Sequence, residues 1–248
     1  MSPFQFQTVP NIIAGLGSIQ QLKALLTEQN NQRVLLVTDP GMVQLQLHAP
    51  VLEILEAAGC NYCIYSSVQA DPPEHIVLEA AEFARQNKID TVIGFGGGSS
   101  LDVAKIIALL AHPEQKQQLH EMYGVNQAQK PRLPLILIPT TAGTGSEVTP
   151  ISIVTTGETT KTGIVSAALY ADVTILDANF TQNLPAHITA ATGIDAMVHA
   201  IEAYTSKHKK NFYADMLAIQ ALKLLNQNLH LVLKDGNNME ARQNMLVG

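Results

Sequence analysis

The feature that most constrains this chain is the stretch Thr91-Val92-Ile93-Gly94-Phe95-Gly96-Gly97-Gly98-Ser99-Ser100-Leu101-Asp102-Val103-Ala104-Lys105. Thr91 to Phe95 is short, apolar and partly β-branched, the pattern of a buried strand. Three glycines follow, which let a backbone turn sharply and approach a ligand without Cβ obstruction. From Ser100 the pattern becomes helical, with Leu101, Ala104, Ile107 and Ala108 on one face. Ser99 and Asp102 have the spacing of a capping box, with Asp in place of the usual Glu. A strand, a glycine loop and a helix N-terminus together present free N–H groups and the positive end of a dipole, which suits a phosphate. A tight βα turn with no ligand fits the same residues. The stretch is neither G-x-G-x-x-G nor a Walker loop.

Such a unit requires a sheet with helices around it, and the chain has the material for one. Of its 248 residues, 46% are hydrophobic, yet no apolar run approaches the ~20 residues that span a bilayer. Met1-Ser2-Pro3-Phe4 lacks the basic and apolar regions of a signal peptide, so a cytoplasmic protein with no membrane partner is expected. A formal charge of −6 without a basic patch argues against nucleic acid. Charged residues are 15%, against the ~25% usual for soluble domains, so part of the surface is expected to be buried in a homodimer. Cys60 and Cys63 form a C-x-x-C. They stand at an apparent strand rather than a helix N-terminus, and no second pair completes a zinc site, so both read as structural thiols.

Along the chain, Phe4–Gln7 alternates like a strand, and Ser18 reads as the cap of a helix running to about Gln29. Val34–Val37 is a buried strand ending in Thr38-Asp39-Pro40-Gly41. In a nucleotide fold an acid at that point accepts from ribose hydroxyls, and a turn aspartate is the competing reading. A helix interrupted near Pro50, the cysteine strand Tyr62–Tyr65 and a helix from Asp71-Pro72-Pro73 to Asn87 follow. Residues 112–133 read as a short helix and a surface loop. Leu135–Ile138 is a strand leading into Pro139-Thr140-Thr141-Ala142-Gly143-Thr144-Gly145-Ser146-Glu147-Val148-Thr149-Pro150. So many hydroxyls with so little bulk suit a diphosphate or a nicotinamide amide, or else make an ordinary polar loop. A hairpin over 151–166 and a strand over 173–177 complete the α/β part, and from Leu184-Pro185 onward the pattern is helical.

In that helical part Asp195 and His199 stand four apart, which puts a carboxylate and an imidazole on one helix face. The pair offers two ligands to a divalent metal, or else a simple Asp–His contact. Three segments together carry more. Gly96–Lys105, Pro139–Pro150 and Ala191-Thr192-Gly193-Ile194-Asp195-Ala196-Met197-Val198-His199-Ala200-Ile201-Glu202-Ala203-Tyr204 closely resemble the iron-containing (group III) alcohol dehydrogenases. The resemblance implies an α/β dinucleotide-binding domain over residues 1–180 and an all-α domain over 181–248, the architecture shared with dehydroquinate synthase. It further implies NAD as cofactor, with Gly97, Gly98 and Ser99 on the pyrophosphate and Asp39 on the adenosine ribose. Asp102, Thr140, Thr141, Thr144, Thr149 and Lys161 match positions lining the cofactor. Asp195 and His199 match two ligands of the family's Fe(II), sometimes Zn(II).

The implied activity is hydride transfer between NAD(H) and a small-molecule alcohol or aldehyde. Two departures qualify it. The family completes its metal site with two histidines beyond the segment that Glu240–Gly248 resembles, so the chain is expected to be a truncated member, its helical domain incomplete, with half a metal site. The other seven histidines match no motif. Asp71 stands where some relatives have Asn near the cofactor, adding an anion there. A catalytically impaired NAD-binding fragment, or a non-redox relative on the same fold, is the alternative.

Overall fold

The computed structural model describes residues 3–28, 33–208 and 210–248. The first strand, β1, is Ile12–Ala14, followed by α1 (Gln21–Glu28), β2 (Arg33–Val37), α2 (Pro40–Gln44), α3 (Ala49–Ala57) and β3 (Asn61–Tyr65). Then come α4 (Glu74–Gln86), β4 (Thr91–Gly96), α5 (Gly98–Leu110), β5 (Gly124–Val125), β6 (Leu135–Pro139), β7 (Ile151–Thr156), β8 (Thr160–Val165) and β9 (Val173–Leu176). Three helices close the chain: α6 (Ala186–Thr205), α7 (Phe212–Lys234) and α8 (Met239–Val247).

Apart from Arg33 and Thr91 at their starts, strands β2, β4 and β6 are apolar because both faces of their sheet are covered. Leu35, Val37, Val92, Leu135 and Leu137 face a core shared with α4 and α5. Their neighbours Val34, Leu36, Ile93, Phe95, Ile136 and Ile138 face the opposite core, where Leu22 and Leu26 of α1 and Val51, Ile54 and Leu55 of α3 pack. The six-stranded sheet is parallel, in the order β1-β9-β6-β4-β2-β3. From β2 the chain first moves outward to β3, then returns to place β4 on the other side of β2. The strand order therefore reverses between β2 and β4, and a ligand crevice opens at the C-terminal ends of strands at such a reversal.

A second sheet, β5-β8-β7, carries the hairpin expected over 151–166. The last three helices form a small apolar cluster of Leu225, Leu229, Val232, Ala241 and Met245, with Ala142, Ala196 and Met197 packed against it. Among the described residues no helix is long and apolar enough to cross a membrane.

Three local expectations change. Phe4–Gln7 forms no strand; the edge strand is β1, which finds its ladder partner in β9. Ser18 does not cap a helix, because a left-handed Gly17 starts a 3₁₀ turn there and the Ser18 hydroxyl donates to Leu176 O instead; Gln29, the expected helix end, lies outside the described residues. Asp102 caps nothing either: the N-cap of α5 is Gly97, and no side chain bonds that helix end. The cysteines behave as structural thiols. No disulfide joins them, and burial, aided by the Asp90 charge, pushes the Cys60 thiol up, opposite to a reactive thiolate.

The loop before β6 is tied down by Arg132. Its guanidinium donates to Asp172 through two nitrogens at 2.7 and 2.8 Å and to the carbonyls of Ala168, Leu133 and Tyr170. Desolvation raises the Asp172 pKa, but the hydrogen bonds and charge of Arg132 outweigh it and hold the carboxyl below its ordinary value. A depressed carboxyl stabilises the fold above its unfolded pKa, ~3.9, and loses that contribution as pH falls through the lower folded value. Urea unfolding as a function of pH should therefore show a steeper acid loss in the parent than in Asp172→Asn; parallel acid limbs would refute this.

Candidate cofactor and metal site

Strand β4 ends in Gly96, whose φ of +146° only glycine adopts freely, and the chain turns at once into α5. With Gly97 as N-cap and no side chain bonding the helix end, the first-turn N–H groups of Gly98, Ser99 and Ser100 are left for a ligand at the positive end of a 13-residue helix. This end lies at the reversal point of the sheet.

Asp39 lies across the crevice. It caps α2, where its Oδ1 accepts from Gly41 N at 2.9 Å and Met42 N at 3.2 Å. Its Oδ2 is directed at the glycine turn: a Cβ built on Gly96 would sit 3.3 Å from it. One carboxylate oxygen thus holds the local backbone while the other borders the crevice.

The third wall is the Thr-rich loop after β6. Thr140 N donates to Gly96 O at 3.0 Å, so the loop starts beside the glycine turn. Thr141 borders Gly97: a Cβ there would lie 3.8 Å from Thr141 Oγ1 and Cγ2. Thr144 presses closer, because a Cβ on Gly98 would lie 3.0 Å from its Oγ1 and Cγ2. Thr140 Oγ1 is buried and has no hydrogen-bond partner among the described residues, and buried hydroxyls are rarely left unpaired. Together these residues fit a dinucleotide.

Asp102, Thr149 and Lys161 are placed differently. Asp102 turns its carboxylate inward, accepting from Ser146 Oγ at 2.5 Å, Ile153 N at 3.0 Å and Lys105 Nζ at 3.3 Å. Thr149 Oγ1 donates to Ser146 O and receives Lys105 Nζ. Lys161 is an exposed residue of the hairpin whose ammonium pairs with Asp71 at 2.6 Å. The extra anion at Asp71 is thus matched by a cation.

Asp195 and His199 project from α6 one turn apart, with Oδ2 and Nε2 separated by 3.7 Å and both side chains about half exposed, 47% and 57%. Two ligands of a tetrahedral ion with bonds near 2.1 Å stand about 3.4 Å apart, so the pair suits one cation as its oxygen and nitrogen donors. Among the described residues no group of three or more candidate ligands assembles, so these two are a partial set.

What joins the helix to the nucleotide crevice is Gly143. A Cβ on it would fall 2.8 Å from Thr192 Cβ and 3.0 Å from Thr192 O, so the Thr-rich loop rests directly on α6 one turn before Asp195. Sequence reasoning missed this contact and the inward roles of Asp102 and Lys105. The one available signal was a lysine inside the apolar run Val103-Ala104-Lys105-Ile106-Ile107.

Comparisons with known proteins show the family. Residues 10–178 match the family model for iron-containing alcohol dehydrogenase. Residues 189–248 match that for the C-terminal part of the Fe-containing alcohol dehydrogenase family. The chain belongs to the iron-containing alcohol dehydrogenase family. A sulfoacetaldehyde reductase of Bilophila wadsworthia is 37% identical over 244 residues, covering 98% of this chain and 62% of its own. Long-chain-alcohol dehydrogenase 1 of Geobacillus thermodenitrificans is 40% identical over 235 residues, covering 94% of this chain and 59% of its own. The sulfoacetaldehyde reductase of Bifidobacterium kashiwanohense, solved in complex with NAD+, superposes with a TM-score of 0.90 at 29% identity, covering 99% of this chain and 65% of its own. The chain thus spans about 60% of the length of the curated relatives it matches.

The contact at Gly143 gives a direct prediction. Gly143→Ala places a methyl against backbone atoms of Thr192 that cannot swing aside, and should cost about 1–3 kcal/mol in urea unfolding. An unchanged midpoint would mean that loop and helix are not in contact.

Proposed function

We propose that this chain binds NAD(H) in the crevice between β2 and β4 and belongs to a metal-dependent dehydrogenase that interconverts a small alcohol and its aldehyde. The observation that carries the reading is the convergence of an uncapped helix N-terminus, the Asp39 carboxylate and the Thr-rich loop at the reversal point of the sheet. In this reading residues 1–180 hold the nucleotide and 181–248 belong to the metal and substrate side.

Each group has a physical task. The N–H groups of Gly98 and Ser99, reached past a bare Gly97, take the pyrophosphate oxygens. Asp39 Oδ2 accepts from ribose hydroxyls. Thr140, Thr141 and Thr144 supply hydroxyls along the cofactor, and Lys161 adds a cation at the hairpin once Asp71 releases it. Asp195 and His199 would hold the Fe(II) or Zn(II), which would supply Lewis-acid chemistry there. The loop resting on Thr192 would set the distance between nicotinamide and metal side, which a hydride transfer must keep short.

A second reading, nucleotide binding without turnover by this chain alone, is favoured by the two-donor metal set. A homodimer through the N-terminal part is supported by the open edge of β1, where Ile12 is exposed.

Two measurements test these assignments. Calorimetric titration should give NADH at least about tenfold tighter than NADPH, since Asp39 repels a 2′-phosphate, and Asp39→Ala should narrow the gap; equal affinities would rule out the ribose role. Zn2+ should bind weakly, because two protein donors fall short of the three or four of a tight site. His199→Ala should abolish that binding while leaving NADH affinity in place, and zinc retained by the variant would remove His199 from the metal side.

A further inference from the structure

Lys105 is the least expected side chain in the molecule. It lies in the second turn of α5, in a run whose neighbours Val103, Ala104, Ile106, Ile107 and Ala108 are all buried apolar residues, and its own side chain is 0% exposed. An aliphatic residue would fill that place without the several kcal/mol it costs to desolvate an ammonium. The charge is tolerated because its protons are fully met: Nζ donates to Ile151 O at 2.7 Å, Ser146 Oγ at 2.8 Å, and Thr149 Oγ1 and Asp102 Oδ1 at 3.3 Å each. Three of those acceptors belong to residues 146–151, where the Thr-rich loop runs into β7. Asp102 reinforces the tie, taking Ser146 Oγ and Ile153 N, while Ser152 Oγ donates to Asp102 O. Glu147, buried beside them, has its carboxyl pushed up to about 7 by desolvation, against the pull of Lys105.

One helical turn, Asp102–Lys105, therefore holds the far end of the loop. The near end is held by Thr140 N on Gly96 O. The span between these anchors is the part that crosses Gly98 through Thr144 and rests on Thr192 through Gly143. We propose that Lys105 is a positioning residue for the nucleotide site: its ammonium pins residues 146–151 to α5 and thereby fixes Thr141 and Thr144 over the glycine turn. The ammonium is wholly enclosed and touches no ligand space, so it acts through the loop. The inference rests on the nucleotide reading above, to which it adds the device that holds the third wall of the crevice in place.

The test uses the full 248-residue chain with Lys105→Met, which keeps length and apolar bulk, and Ser146→Ala, which removes one hydroxyl held by both Lys105 and Asp102. Binding of NADH and of AMP is measured by calorimetry at a temperature where each variant is fully folded, together with amide hydrogen exchange. Asp39 and the glycine turn keep their own supports, so AMP affinity should hold within about twofold. NADH, which also needs the Thr-rich loop, should weaken at least about tenfold in Lys105→Met and about threefold in Ser146→Ala, as expected for losing charged and neutral hydrogen bonds. Exchange should accelerate over residues 146–153 and not in β4 or β6. If Lys105→Met does not fold, Ser146→Ala decides alone. Variants that bind NADH like the parent, or that lose NADH and AMP in equal proportion with exchange raised throughout the sheet, overturn the positioning role and leave the nucleotide reading intact. A parent chain that binds no NADH overturns both.

Discussion

The close approach between the first turn of α5 and the Thr-rich loop governs the rest of the site. Gly98 has little room for a side chain, because a Cβ there would lie 3.0 Å from Thr144 Oγ1 and Cγ2. That proximity brings free N–H groups and threonine hydroxyls to one edge of the sheet. The parallel sheet supplies the frame: its strand order reverses between β2 and β4, so Asp39 and the glycine turn face each other across the resulting crevice.

The same loop makes the second connection. Gly143 rests on Thr192, one helical turn from Asp195, so the crevice and the Asp195–His199 pair are linked by direct packing rather than by a long lever. The loop is therefore fixed on three sides: by β4 at Thr140, by α5 through Lys105 and Asp102, and by α6 at Gly143. A strap held in this way fixes the separation of two sites more narrowly than a mobile loop would, and such control matters where reacting atoms must meet within a few tenths of an ångström.

Much of this was legible in the residues. Apolar, β-branched runs without alternation announced strands buried on both faces, and β2, β4, β6 and β9 lie where such runs stand. The Gly96–Gly98 turn announced a helix N-terminus, and the spacing of Asp195 and His199 announced a shared face. What stayed hidden has a common cause: it depends on partners distant in sequence. Phe4–Gln7 has the alternation of a strand, but the ladder partner β9 pairs with Ile12–Ala14. Ser99 and Asp102 have the spacing of a capping box, yet Asp102 reaches Ser146 and Ile153, more than forty residues away. Lys161 is engaged by Asp71 across ninety positions. Local pattern identifies elements well and says little about which polar atoms they exchange.

The proposed nucleotide site is the crevice between β2 and β4, closed by the Thr-rich loop. Backbone amide chemical shifts followed through an NADH titration of the 15N-labelled chain test it most directly. Saturable shifts should be concentrated at Asp39–Gly41, Gly97–Ser99 and Thr140–Thr144, tapering through Gly143 into Thr192 and the turn that carries Asp195. Shifts centred elsewhere on the molecule, or none at saturating NADH, would contradict it.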